Sequence, residues 1–220
     1  MQTLTNQLLE LGLANRFLTD NQLTRLIDGS PQRRYHLVNR AMKAQELIRL
    51  RRGLYTLSGK YRDKPCHPYA VAQAMTPGSY VSFETALSYH GWIPEAVYTT
   101  ASVVSNRKST QHNHETMGKF TFHPLAIHKG HFLELVEHTR LGDQSVLMAM
   151  PARALMDLVC LRKIDWQGLA WIEDGLRIEP ESLSNIDNEQ IQTLKTVYKQ
   201  QRVQHFLSQL ALALDLDIDA

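Results

Sequence analysis

The chain has 220 residues, 43% of them hydrophobic, with 8 prolines and a formal net charge of +2, which argues against disorder and fits one large globular domain or two small ones. No apolar run approaches the roughly 18 residues that span a bilayer, and Met1-Gln2-Thr3-Leu4 lacks the charged and apolar segments of a secretion signal, so no membrane partner and a cytoplasmic location are expected. Cys66 and Cys160 lie far apart with no second thiol near either, which excludes a disulfide framework and a zinc knuckle.

The charge is divided unevenly. Residues 1–64 hold 12 Lys/Arg and 5 Asp/Glu, a net +7, whereas residues 65–220 hold 12 Lys/Arg and 17 Asp/Glu, a net −5. Such asymmetry is expected when one domain meets a polyanion and the other does not.

Leu4, Leu8 and Leu11 recur at i, i+4, i+7, the spacing of one helical face, and Gly12 sits where a left-handed cap ends that helix. A second helix is predicted after Thr19, with Gln22 three residues on to close a capping box and Leu18 placed to staple onto Leu23. Leu23, Leu26 and Ile27 form its buried face. Asp28-Gly29 breaks the helix and Ser30-Pro31 restarts one, because Ser caps well and Pro is tolerated at the first helical position.

From Pro31 to about Gln45, projection at 100° per residue separates two faces. Tyr35, Leu37, Val38, Ala41 and Met42 gather on one. Gln32, Arg33, His36, Asn39, Arg40 and Lys43 gather on the other, within about 120°. Arg34 falls on the apolar side in the first turn, where its stem can lie over the core and its head reach water. The outward face holds no acid. A face selected only for solubility usually mixes Glu with Lys; this one holds side chains that pair with guanine and adenine edges or with phosphate, as a recognition helix requires.

After Glu46 the period becomes alternating. Leu47–Arg51, the turn Arg52-Gly53 and Leu54–Leu57 read as a β-hairpin, with Arg49 and Arg51 sharing one face and Arg52 beside the turn. A basic hairpin beside a recognition helix grips flanking phosphates or the minor groove. Residues 1–62 therefore read as a winged helix-turn-helix domain. Its expected DNA-binding residues are Gln32, Arg33, Arg34, His36, Asn39, Arg40, Lys43, Arg49, Arg51 and Arg52.

Lys60 to Pro68 reads as a polar linker into a second domain, residues 63–220. Strands are predicted at Val97–Ser105, Lys119–Phe122, His131–Leu135 and Ser145–Met148. Helices follow at Pro151–Arg162, Trp166–Leu176 and about Asn188–Leu214, the last with a break near Gln200–Arg202 where its apolar face changes. Strands first and helices after suggest a mixed α+β domain.

Three stretches carry a resemblance. They are Leu47–Leu57, with its basic turn leading into Gly53-Leu54-Tyr55; Tyr80–Pro94, a short strand and helix with Ala86-Leu87 and His90-Gly91; and Met150–Leu158, a helix start after a core strand. Together they resemble the AbiEi family, the antitoxins of AbiE-type, or type IV, toxin-antitoxin systems, over about residues 15–160. The resemblance implies an N-terminal domain that binds inverted repeats in its own promoter and represses the operon. It also implies a C-terminal domain needed to counter a cognate nucleotidyltransferase toxin. The stretch after about Leu161 lies outside it.

Other readings of the same residues are local. Ser82 caps a helix, Gly91 after His90 is a helix exit, and Arg153 with Asp157 is an i,i+4 ion pair worth a few tenths of a kcal/mol. His112 and His114, with His123, His128, His131 and His138, are spaced closely enough to suggest zinc or copper. The first pair, however, lies in a polar stretch, Ser109–Glu115, that reads as a loop, and no thiols or paired carboxylates accompany it. Glu-x-Lys, phosphate-cradling glycine loops and Gly-x-Ser-x-Gly are absent from the sequence. Neither a catalytic residue nor a metal or cofactor is expected. The competing expectation is a winged-helix regulator, unconnected with a toxin, whose second domain senses a ligand or partner.

Overall fold

The computed structural model describes residues 3–216 of a mixed α+β protein whose chain divides into two compact units between Pro77 and Gly78. No helix among the described residues is long and apolar enough to cross a membrane.

In the first unit, α1 (Leu4–Glu10) is capped by Thr3, whose side chain accepts from Asn6 N, and it ends before Gly12 at φ +68°. Leu4, Thr5 and Leu8 are its buried residues. Leu11 follows the helix and is 55% exposed, so the expected apolar face stops one turn short. β1 (Leu18–Thr19) leads into α2 (Asp20–Leu26). There Thr19 Oγ1 accepts from Gln22 N, and Gln22 Oε1 accepts from Thr19 N at 2.8 Å, forming the capping box. Ser30 caps α3 (Pro31–Lys43) by accepting from Arg33 N, with Pro31 at the first helical position.

β2 (Leu47–Arg51) and β3 (Leu54–Leu57) form an antiparallel hairpin, and β1 adds to β3 to give the sheet order β1-β3-β2. The core between helices and sheet is Leu4, Leu8, Leu18, Leu23, Ile27, Leu37, Ala41, Leu47, Tyr55 and Leu57. Each large aliphatic among these contributes about 1.5–3 kcal/mol by leaving water.

The segment expected as a linker is folded. Arg62 donates to Thr56 Oγ1 at 2.7 Å and to the carbonyls of Ala14 and Asn15 at 3.2 Å, while Asn15 donates to Asp63. α4 (Pro68–Met75) then packs on β2. The first unit thus runs on to Pro77 rather than ending at residue 62. Residues 65–77 contain no Asp, Glu, Lys or Arg, so the unit keeps its net +7.

The second unit is a six-stranded mixed sheet of order β6-β7-β5-β4-β9-β8, built from β4 (Tyr80–Val81), β5 (Thr99–Val104), β6 (Thr110–His114), β7 (Gly118–Pro124), β8 (Val136–Leu141) and β9 (Gln144–Ala149). β5 runs parallel to β7 and β4 to β9; the other pairings are antiparallel. α5 (Phe83–Tyr89) follows β4 and packs against α6 (Pro151–Arg162), which also carries α9 (Asn188–Val197) and α10 (Gln201–Ala213).

Several expectations are corrected here. Thr110–His114 is an edge strand rather than a loop; with one side unpaired it tolerates a polar sequence in which hydrophobic alternation has nothing to report. His131–Leu135 is not a strand, because carbonyls there accept from Arg153 instead of from a neighbouring strand, and the ladder starts only at Val136. Trp166–Leu176 keeps only the short α7 (Ala170–Glu173). A Cβ at Gly175 would stand 2.4 Å from the Trp171 carbonyl oxygen, so that tight turn admits glycine alone. A further short helix, α8 (Pro180–Leu183), precedes α9. The C-terminal stretch breaks at Tyr198, which turns extended and bridges to Ile127 before α10 begins.

Candidate nucleic-acid interface

α3 is held by its apolar side, with Leu37 and Ala41 buried and Val38 and Met42 packed against the core. Gln32, Arg33, His36, Arg40 and Lys43 are exposed, and Asn39 is half-buried. Gln32 Nε2 and His36 Nε2 are hydrogen-bonded at 3.1 Å one turn apart, which limits the rotamers of both before any ligand arrives. The stem of Arg33 lies over the preceding turn, where a Cβ on Gly29 would come within 3.0 Å of its Cδ.

Two residues differ from the helical projection. Arg34 is half-buried and its Nη1 donates to the Gly29 carbonyl at 2.9 Å, so its head closes the α2–α3 turn instead of reaching outward. Tyr35, expected among the apolar residues, is 63% exposed. On the wheel it lies at the edge of the apolar side, about 20° from Met42 and about 40° from Asn39, a boundary position whose exposure the projection does not decide.

The hairpin departs more sharply. Arg49 pairs with Tyr55 but Arg51 with Leu54, because a bulge at Leu50 shifts the register. Cross-strand partners share a face, and Tyr55 and Leu54 alternate, so Arg49 and Arg51 lie on opposite faces rather than together. Arg49 and Arg52 are exposed. Arg51 is half-buried, its Nη1 donating to the Arg52 carbonyl at 3.2 Å and its Nε buried with no hydrogen-bond partner among the described residues.

Asp20, an acid the strand pattern does not place here, lies against the turn: its backbone N donates to the Gly53 carbonyl at 3.1 Å, and a Cβ on Gly53 would stand 2.9 Å from its Oδ2. Burial, with the Asp20 carboxylate beside it, pushes the Tyr55 phenol above its usual pKa. At the far end of the hairpin, Glu46 accepts from Thr5 at 2.6 Å and from Tyr61 at 3.3 Å.

No family model and no curated protein matches this chain. What the surface can do follows from its own side chains. Gln, Asn and His offer paired donors and acceptors to base edges, Arg33 and Arg40 offer guanidinium forks to guanine, and Lys43, Arg49 and Arg52 offer cations to phosphate.

In the second unit the strongest polar cluster is closed to solvent. Arg153 and Asp157 of α6 are fully buried; Asp157 also accepts from Ser82 at 2.7 Å, Tyr80 at 3.0 Å and Tyr198 at 2.7 Å, and Arg153 donates to Tyr80 Oη at 2.6 Å and to the Glu134 carbonyl at 2.7 Å. Burial opposes the Arg153 charge most strongly of any single influence, yet the Asp157 carboxylate together with Tyr198 and Tyr80 outweighs it and the guanidinium pKa ends above its ordinary value. The expected i,i+4 pair is present but fully buried, which takes it outside the few tenths of a kcal/mol of an exposed helical pair, and Ser82, though at the start of α5, spends its hydroxyl on Asp157 rather than on the cap. With no exposed atom, the cluster ties β4, α6 and the Tyr198 segment together and offers nothing to a substrate. Burial, followed by Asp157, pushes the neighbouring Cys160 thiol up to about 11, so it stays protonated at neutral pH.

The histidines are dispersed. His112 and His114 lie on β6, His123 on β7 with its ring edge-on to Phe83, and His138 on β8, while His128 and His131 lie in the connection between β7 and β8. His114 Nδ1 accepts from Thr116 N and Met117 N, and His131 Nδ1 is bonded to Thr196 Oγ1. Among the described residues no group of three or more His, Cys, Asp or Glu side chains is placed to hold a metal.

Proposed function

We propose that the chain is a DNA-binding transcriptional repressor whose first unit is a winged helix-turn-helix domain, with α3 entering the major groove and the β2–β3 hairpin gripping the flanking backbone. The observation that carries this reading is the exposed, acid-free face of α3 on a unit of net +7, joined to a unit of net −5. A polyanion is attracted to the first unit and repelled from the second. Within the same reading, the AbiEi resemblance makes the protein the cytoplasmic, non-enzymatic antitoxin of a type IV system. It represses its own operon at inverted repeats and counters a nucleotidyltransferase toxin. The three stretches that carry the resemblance fall on β2–β3, on β4–α5 and at the start of α6.

The test is a titration of labelled duplex from the upstream region of its own operon, repeated across salt concentrations. Preference over scrambled duplex and a log-log salt slope of about −0.9 per phosphate contact are expected. Binding with neither preference nor salt dependence overturns the reading. Co-expression with the neighbouring nucleotidyltransferase tests the antitoxin half, and growth restored only when this chain is present is the expected result. Failure of rescue with operator binding intact leaves a regulator unconnected with a toxin.

A further inference from the structure

We infer that Tyr35 reads sequence, its ring packing on the C5-methyl of a thymine in the major groove. This rests on the DNA-binding reading above and adds to it a residue that the polar pattern of α3 does not single out. Tyr35 is 63% exposed, its phenol hydroxyl has no hydrogen-bond partner among the described residues, and its one ring contact is the edge of the His36 imidazole at 5.9 Å. The core of the unit therefore does not use the ring.

Its place on the helix gives the ring an occupant. Tyr35 lies between Gln32 at i−3 and Asn39 at i+4, neighbours on one helical face. Both are amides, the side-chain type that pairs bidentately with N6 and N7 of adenine. In the major groove an A·T pair presents those two atoms beside the O4 and C5-methyl of its thymine. An amide docked on adenine thus sets a neighbouring side chain against a methyl group. An aromatic ring with no acid beside it on the helix is the member of this face suited to take it. Its position in the second turn is also in the half of a recognition helix that reaches base edges.

The experiment begins with duplexes selected from a random pool by the full-length wild-type protein. The selected duplex, and copies with deoxyuridine replacing each thymine singly, are then titrated with wild type, Tyr35→Phe and Tyr35→Ala. Circular dichroism checks that the variants fold. Loss of one buried methyl corresponds to about 0.8 kcal/mol, roughly four-fold in Kd. One deoxyuridine position is expected to weaken wild type and Tyr35→Phe about four-fold and Tyr35→Ala no further, with Tyr35→Ala already weakened on the thymine duplex. If Tyr35→Phe loses as much as Tyr35→Ala, the hydroxyl is meeting phosphate and the inference is overturned. Equal binding by all three proteins, or a deoxyuridine penalty indifferent to residue 35, overturns it as well. Failure of wild type to enrich any sequence removes the DNA-binding reading itself, and this inference with it.

Discussion

Arg153 Nε donates to Asp157 Oδ1 at 3.0 Å, and both side chains are fully closed off from solvent. The attraction between them is set against two desolvation penalties, and what makes the arrangement tolerable is that every strong acceptor is used: Tyr80, Ser82 and Tyr198 donate to Asp157 alongside the guanidinium. Removing one partner leaves the other charge stranded. Asp157→Ala is therefore expected to destabilise the second unit by about 3–5 kcal/mol, whereas the pair Arg153→Met with Asp157→Leu costs less than Asp157→Ala alone. Urea denaturation of the three proteins checks the order, and a double variant weaker than the single one would show that the pair is not acting through its charge.

If the first unit binds DNA as proposed, the α3 face and the hairpin divide the labour, and their variants should differ in kind. Arg40→Ala is expected to narrow the gap between specific and scrambled duplex, by about 1–3 kcal/mol if the lost contact is bidentate to guanine. Arg49→Ala and Arg52→Ala are expected to weaken all sequences alike and to flatten the salt slope by about one unit per lost phosphate contact. Arg51→Ala should move the slope less than either, because the bulge turns Arg51 to the other face and its Nη1 is already bonded to the Arg52 carbonyl. Anisotropy titrations of the four variants at several salt concentrations separate these effects. An Arg51 effect equal to that of Arg52 contradicts the bulged register.

The uneven legibility of the two units has physical reasons. Thr19 with Gln22 and Ser30 with Pro31 mark helix starts through contacts made within four residues, so α2 and α3 can be placed from sequence alone. The bulge at Leu50 has no local signature: Leu47–Arg51 alternates well, and only pairing with β3 shows that one residue is extra. In the second unit, β6 is hidden because an edge strand needs no apolar face, and the connection before β8 is misread because its carbonyls are claimed by a side chain 19 residues further on. The burial of Arg153 and Asp157 did leave a trace. Every residue of α6 from Ala152 to Cys160 is buried, and a helix apolar all round has no surface on which to place an ordinary ion pair.

His67 gives the first unit a pH dependence of definite sign. Its Nδ1 accepts from Tyr69 N at 3.2 Å, capping α4, and burial lowers its pKa below the ordinary value of about 6.5. The folded unit takes up the proton less readily than the unfolded chain. The stability it contributes is therefore present above about pH 6.5 and lost as pH falls below that value through the lowered folded pKa. Asn keeps a capping acceptor but does not titrate. His67→Asn is expected to remove part of the fall in unfolding midpoint between about pH 7 and pH 5. Parallel curves for the two proteins would rule the cap out as the titrating element.

Gly53 tests whether the hairpin is positioned from outside itself. Its φ of +75° already disfavours any side chain by about 1–2 kcal/mol. The added Cβ of Gly53→Ala would also stand 2.9 Å from Asp20 Oδ2, on the residue whose backbone N holds the Gly53 carbonyl. The backbone penalty belongs to the turn alone, whereas the crowding belongs to the turn and α2 together. Gly53→Ala is therefore expected to destabilise the unit by more than the backbone penalty. Asp20→Ala in the same chain should recover the excess, because it removes the crowding atom and leaves the backbone cost. Thermal unfolding of the two single variants and the double variant measures that coupling. Strict additivity would mean that Asp20 does not crowd the turn, leaving its contact with Gly53 to the backbone hydrogen bond.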